Sequence, residues 1–307
     1  MNFRFPELPE WLREVYPFRT RAAEIAGQTM SFVDEGPSDA GCFVLVHGSP
    51  AWSFLFRDAI FRLRDTARVI APDLVGFGLS SKPEDPAYHT LERHIANLGE
   101  FLDHIGVERF SLVLHGWAGP IGLAYAAAHP ERLERLILVN TWGTIVPNID
   151  PKKASMLRGH GVMGKLFGRS SVESTVSAQV HHKLDDMTVE AYKFPFQSGP
   201  PVAVKAFCDM LFEPDAATLA TMKQVETGLK KITTRAEILH GLKDPVLTRL
   251  PAYLLRDALK SSHEPVFVDN TSHLLPEDAP DAFYELLAKR EQTPAENAGD
   301  ALFKILT

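Results

Sequence analysis

The feature that most constrains this chain is an alternation, through its first half, of short β-branched runs with stretches whose apolar residues recur at helical intervals. Parallel strands in one sheet need long crossovers, and a crossover helix has to bury its apolar stripe on a face of that sheet. The alternation therefore predicts an α/β domain: a mostly parallel sheet with helices on both faces. Eight runs read as strands: Ala23–Ile25, Thr29–Asp34, Phe43–His47, Arg68–Ala71, Phe110–His115, Leu136–Asn140, Ala236–His240 and Val266–Val268. Tyr88 to Ile105 spaces its apolar residues as a crossover helix does, and Pro280 to Arg290 reads as an amphipathic helix closing the fold.

The alternation stops after Trp142. Pro147, Pro151, Gly159, Gly161, Gly164 and Gly168 interrupt the sequence, and helical stretches follow around Val172–Lys183, Ala203–Phe212 and Ala216–Leu229 with no strand between them. A strandless insertion within a sheet protein predicts a helical lid. The expected division is a core in two parts, 1–142 and 233–307, carrying a helical cap at 143–232. The segment from Glu291 to Asp300 is polar and reads as a loose tail, with Leu302, Phe303 and Ile305 beyond it able to dock.

Composition narrows the function classes. With 32 Lys+Arg against 39 Asp+Glu the chain is mildly acidic, so it offers a nucleic-acid backbone no general attraction. Cys42 and Cys208 form neither a CxxC pair nor a cluster with histidines, so neither a disulfide framework nor a zinc site is indicated, and free thiols suit a reducing cytoplasm. Glu7, Glu10, Arg13 and Glu14 charge the first residues too heavily for a signal peptide, and apolar runs such as Phe43 to Val46 are too short to span a bilayer. A soluble, cytoplasmic protein without a nucleic-acid or membrane partner is expected.

In an α/β sheet, reactive groups sit on the turns beyond the carboxyl ends of the strands. Four sharp turns follow predicted strands. His47-Gly48-Ser49-Pro50-Ala51-Trp52 can aim a backbone N–H at a developing oxyanion. Leu114-His115-Gly116-Trp117-Ala118-Gly119 must pass abruptly from strand into helix. Gly241-Leu242-Lys243-Asp244 and Thr271-Ser272-His273 follow the last two strands, so Asp244 and His273 arrive on adjacent turns. That pairing outweighs reading His273 as a loop histidine or Asp244 as a turn former before Pro245.

The order of elbow turn, Asp and His resembles the α/β hydrolases, and more closely the haloalkane dehalogenases. Ala71-Pro72-Asp73-Leu74-Val75-Gly76-Phe77-Gly78-Leu79-Ser80 and His129-Pro130-Glu131-Arg132-Leu133 resemble stretches of that family too. The β-lactone decarboxylases of bacterial olefin synthesis share these motifs. The resemblance implies an α/β-hydrolase fold with an eight-stranded sheet and a helical cap. It implies hydrolysis of a carbon–halogen, lactone or ester bond in a small apolar organic substrate, by side chains and water, with no cofactor and no metal. It makes His273 the general base, Asp244 its acid partner, and the backbone N–H groups of Ser49 and Trp117 the oxyanion hole. The Trp117 indole would hold a leaving halide.

Three positions depart from the family pattern: Ser49 stands where Asn is usual, Ala118 where glycine is usual, and Gly116 where the nucleophilic Asp belongs. Glycine cannot attack carbon, and loss of a triad nucleophile costs on the order of a million-fold in turnover, roughly 8 kcal/mol of barrier. No Ser, Cys or Asp adjoins Gly116, and Ser111 lies at the far end of the same strand. A strained elbow explains why glycine is tolerated there. Three readings follow: a dehalogenase whose nucleophile was removed to trap substrate, a diverged enzyme using the His273–Asp244 dyad as general base on water or substrate, and a non-catalytic ligand-binding protein. The additional changes at Ser49 and Ala118 speak against a single deliberate replacement.

Other conspicuous residues read as structural. His47 and His115 sit at strand ends, and His181-His182, consecutive within a predicted helix, would face apart and so make a poor metal pair. Trp52 and Trp142 suit either a pocket mouth or the core. Asp73 is placed to fix the loop that reaches Phe77.

Overall fold

A computed structural model of the chain describes residues 7–145, 169–197, 201–259 and 263–289. Its eight strands are β1 (Thr20–Ile25), β2 (Gln28–Glu35), β3 (Cys42–Val46), β4 (Arg68–Pro72), β5 (Phe110–Gly116), β6 (Leu133–Thr141), β7 (Ala236–Gly241) and β8 (Val266–Val268). They form one sheet in the order β1-β2-β4-β3-β5-β6-β7-β8. The first two pairings, β1 with β2 and β2 with β4, are antiparallel and the rest are parallel.

The order fixes where a site can form. From β3 the chain winds one way to β4 and then returns to the other side for β5, so β3 and β5 are neighbours whose connections leave in opposite directions. A crevice opens beyond the carboxyl ends of strands at such a reversal. Here those ends deliver His47-Gly48-Ser49 from β3 and the turn at Gly116 from β5. All seven residues of β5 are buried, as a central strand covered on both faces requires, and its sequence accordingly reads as a continuous apolar run.

The described helices are α1 (Glu10–Val15), α2 (Arg57–Leu63), α3 (Leu91–His104), α4 (Ala118–Ala128), α5 (Arg169–Ala178), α6 (Asp186–Lys193), α7 (Val202–Phe212), α8 (Ala216–Gly228), α9 (Leu250–Ala258), α10 (Leu275–Asp278) and α11 (Pro280–Ala288). The Thr90 side chain caps α3 by accepting from the Arg93 N–H, and Leu91, Leu98, Phe101 and Leu102 bury one face of it. In α4, Gly122 lets the helix lie against β5, because a Cβ there would meet the Leu114 side chain at 2.3 Å. Between β6 and β7 the described residues hold α5 to α8 and no strand. None of the helices among the described residues is long and apolar enough to cross a membrane.

All eight expected strands form, most with one or more residues added at an end. The helix expected over 172–183 instead ends at Ala178, because the N–H groups of His181 and His182 donate to the Asp278 carboxylate rather than to carbonyls one turn back. His181 and His182 are therefore exposed loop residues, not helical ones. Helix α4 forms where the strand-to-helix turn at Gly116 called for one, although its apolar residues, buried on nearly all sides, leave no stripe along its length. The short α1, α2, α6, α9 and α10 were not foreseen; with one to three turns each they carry too few apolar repeats to stand out. The tail from Glu291, with Leu302, Phe303 and Ile305, lies outside the described residues.

Candidate functional site

The turn after β5 is set by backbone geometry. Gly116 has φ +55°, in the left-handed region that side-chain-bearing residues avoid, and the pairing of β5 with β6 shifts register between His115 and Gly116. Thr141 Oγ1 pins the turn by donating to the Gly116 carbonyl at 2.5 Å. Trp117 follows as the N-cap of α4.

The loop after β3 packs directly on this turn. A Cβ on Gly48 would lie 2.9 Å from the His115 carbonyl oxygen and 3.0 Å from both the Gly116 Cα and the Trp117 N. Only glycine permits so close an approach of two backbones. Ser49, half-buried, stands one residue beyond it. His47 supports the loop with both ring nitrogens, Nδ1–H donating to the Gly48 carbonyl at 2.8 Å and Nε2 accepting from the Leu74 N–H at 3.0 Å. Burial holds its pKa down, so the ring is neutral and structural.

Asp244 and His273 meet as their turns suggested. His273 Nδ1 lies 2.8 Å from Asp244 Oδ2, with both side chains buried. The carboxylate also accepts from the Asn140 side-chain amide (2.7 Å) and from the backbone N–H groups of Val246 (2.7 Å) and Leu247 (2.8 Å). Burial alone would raise the Asp244 pKa; the neighbouring His273 and these hydrogen bonds overcome it and bring it down to about 2. A permanent carboxylate at Nδ1 fixes the tautomer and turns the other nitrogen, Nε2, outward. A Cβ built on Gly116 would lie 3.2 Å from His273 Nε2, so the ring faces the elbow turn.

His115 faces away from this reach: its Nε2–H donates to the His273 carbonyl at 2.8 Å. Burial and the adjacent His273 push its pKa down to about 3, leaving it a neutral brace. Trp117 is almost fully buried, its ring edge-on to Trp142 (4.9 Å) and to Phe207 of α7 (5.2 Å). Phe207 in turn packs on Phe77 at 5.0 Å. Trp52 is a core residue, stacked on Phe54 and donating its indole N–H to the Ala191 carbonyl. Asp73 holds the following loop as expected, accepting from Leu79 N–H and from Ser53 N–H, both at 2.8 Å. Among the described residues no group of three or more His, Cys, Asp or Glu could hold a metal ion.

The α/β hydrolase fold pattern matches residues 41–160. Over 280 residues the chain is 30% identical to a cis-3-alkyl-4-alkyloxetan-2-one decarboxylase of Shewanella oneidensis, covering 88% of this chain and 87% of that protein. It belongs to the α/β hydrolases, in their haloalkane dehalogenase-like group. Haloalkane dehalogenase 2 of Mycobacterium tuberculosis is 29% identical over 282 residues, covering 90% of this chain and 96% of that one. Among solved structures, haloalkane dehalogenase DpaA of Paraglaciecola agarilytica superposes with a TM-score of 0.80 at 24% identity, covering 95% of this chain and all of that one.

Two features of this hydrolase's site were not foreseen. Asn140, at φ +43°, uses its amide to bind Asp244 Oδ2 and the Ser272 carbonyl, and its side-chain oxygen accepts the Gly241 N–H. Asparagine tolerates that backbone region, and its place at the end of a strand was the one available signal. The second is the Gly48 contact, where the glycine is visible in the sequence but its partner is not.

Proposed function

We propose that this α/β hydrolase cleaves a small apolar ester or lactone by general-base catalysis, with no covalent intermediate at residue 116. His273 takes a proton from water through Nε2 while Asp244 holds Nδ1–H and stabilises the imidazolium that forms. The hydroxide equivalent adds to the carbonyl carbon, the alkoxide leaves, and the proton on His273 returns to it. The backbone N–H groups of Ser49 and Trp117 receive the developing oxyanion. General-base assistance of this kind contributes roughly 10²–10⁴-fold. The observation that carries the reading is the dyad itself: Nδ1 is bound to Asp244, and Nε2 lies 3.2 Å from where a side chain on residue 116 would begin.

A His273–Asp244 dyad bonded through Nδ1, beside glycine, supports base chemistry over covalent chemistry. The segment 143–232 serves as the cap over a core formed by 1–142 and 233–307, a division supported by Phe207 seated against Trp117. The rings of Trp117, Trp142 and Phe207 favour an apolar substrate. Free Cys42 and Cys208 support a reducing, cytoplasmic setting.

The parent dehalogenase reaction is the second reading, favoured by the names of the relatives and by Trp117 at its family position. It lacks the carboxylate that attacks carbon, so Gly116 blocks it. The test compares the unmodified chain with His273→Ala on short-chain esters and β-lactones. Turnover lost in the variant supports the proposal, whereas ligand binding without turnover, indifferent to His273, leaves a binding protein.

A further inference from the structure

The backbone that carries His273 is held at four polar groups by four different partners. Ser272 N–H donates to Asp278 Oδ2 at 2.7 Å, and the Ser272 carbonyl accepts from Asn140 Nδ2 at 3.2 Å. The His273 carbonyl accepts from His115 Nε2 at 2.8 Å, and Leu274 N–H donates to the Gln179 carbonyl at 2.8 Å. Asn140 and His115 belong to the ends of the central strands β6 and β5 and are fixed with the sheet. Gln179 and Asp278 are different. Gln179 follows α5, in the segment inserted between β6 and β7, and Asp278 closes α10 beyond the His273 loop.

Asp278 joins the two. Its carboxylate accepts from His181 N–H at 2.8 and 2.9 Å and from His182 N–H at 3.1 Å, as well as from Ser272 N–H. One half-buried carboxylate thus gathers three backbone donors from two distant stretches of chain, and such charge-assisted bonds are the strong ones. With the Leu274–Gln179 bond beside it, the inserted segment is strapped to the residues immediately before and immediately after the histidine.

We infer that Asp278 is a positioning residue for His273, setting the distance of its imidazole from the elbow turn by tying the 272–274 backbone to residues 179–182. The inference rests on reading His273 as the general base. Asp278 touches neither Asp244 nor the imidazole, so it acts through the main chain alone.

The test pairs kinetics on a short-chain ester with proton NMR of the His273 Nδ1–H, recognised as the downfield imidazole signal absent from His273→Ala. Displacements of about 1 Å at a reacting group cost on the order of 10²-fold in rate. Asp278→Ala is therefore expected to lower kcat on the order of 10²-fold while KM stays within about threefold, since binding contacts are untouched. Asp278→Asn, which keeps one acceptor oxygen, falls between. In Asp278→Ala the Nδ1–H signal broadens or moves. Thr90→Ala, which removes a helix cap remote from the site, changes neither reading. The inference is overturned by an unmoved Nδ1–H signal, by a kcat within about twofold of the parent, or by equal effects in Thr90→Ala. If the unmodified protein hydrolyses no ester, the proposed function fails by itself; the imidazole signal still decides the role of Asp278.

Discussion

Replacing Gly116 by aspartate puts a carboxylate on the turn that faces His273, and the structure sets what that costs. The backbone at φ +55° charges a non-glycine residue about 1–3 kcal/mol, with Asp near the low end because its short polar side chain tolerates the left-handed region. The new Cβ would lie 3.2 Å from His273 Nε2 and 3.3 Å from the Gly48 Cα, close enough that the Gly48 backbone must yield slightly. Gly48 has little room to do so, being itself pressed on the same turn. The combined loss is about 1–3 kcal/mol, which at roughly 2–4 °C per kcal/mol is a melting point lower by about 2–12 °C. Gly116→Ala shares the strain without the carboxylate and serves as the control. Thermal melts of the three proteins, with bromide release from a short bromoalkane, make the assay. Bromide release is expected from the Asp variant alone. An Asp variant that melts above the parent, or an Ala variant releasing as much bromide, would refute the strained-elbow reasoning.

Gly48→Ala places a Cβ within 3.0 Å of three backbone atoms, none of which can swing aside, so the loss of stability by chemical denaturation is about 1–3 kcal/mol or more; a neutral result would mean the two turns are not in contact. Acid stability has two windows. His94 and His115, pushed to about 3 by burial, stay neutral in the fold while the unfolded chain binds protons from about pH 6.5 downward, so stability falls as pH drops from 6.5 towards 3. His94→Gln should remove about 1.4 kcal/mol per pH unit from that slope between about pH 6 and 4, and an unchanged slope would contradict it. Asp244, depressed to about 2, adds stability that is complete above the unfolded carboxylate value near 4 and is lost as pH falls through 2, which Asp244→Asn should abolish.

Where a segment's physics is local, the sequence carried it. The central strands β3 to β7 are short apolar runs whose burial on both faces leaves a nearly continuous signal, and α3 has one buried face and a Thr cap, so both could be read without neighbours. Helix α4 showed only its start, at the strand-to-helix turn, because enclosure on nearly every side erases the period that marks a helix. The site divided in the same way. Gly116, Asp244 and His273 are marked by their turns, and the turns come together because sheet order brings them there. What turns do not encode is which distant group completes a hydrogen bond. Asn140 on Asp244, His115 on the His273 carbonyl, and Asp278 on the Ser272 N–H span 104, 158 and 6 residues of chain, and even the shortest depends on His181 and His182 arriving from elsewhere. The His181-His182 pair shows the limit most plainly: its run into a predicted helix is cut short by a carboxylate nearly a hundred residues further along the chain.

Where the oxygen entering the acid product comes from, and whether any protein group is acylated on the way, separates attack by water from attack by a side chain. A single turnover of an ester by the unmodified protein in ¹⁸O-labelled water, followed by mass spectrometry of both acid product and protein, measures it directly. Water activated by His273 puts one labelled oxygen into the acid in that first turnover and leaves the protein mass unchanged. A covalent adduct on any residue, or unlabelled acid in the first turnover, would show that a protein group attacks instead.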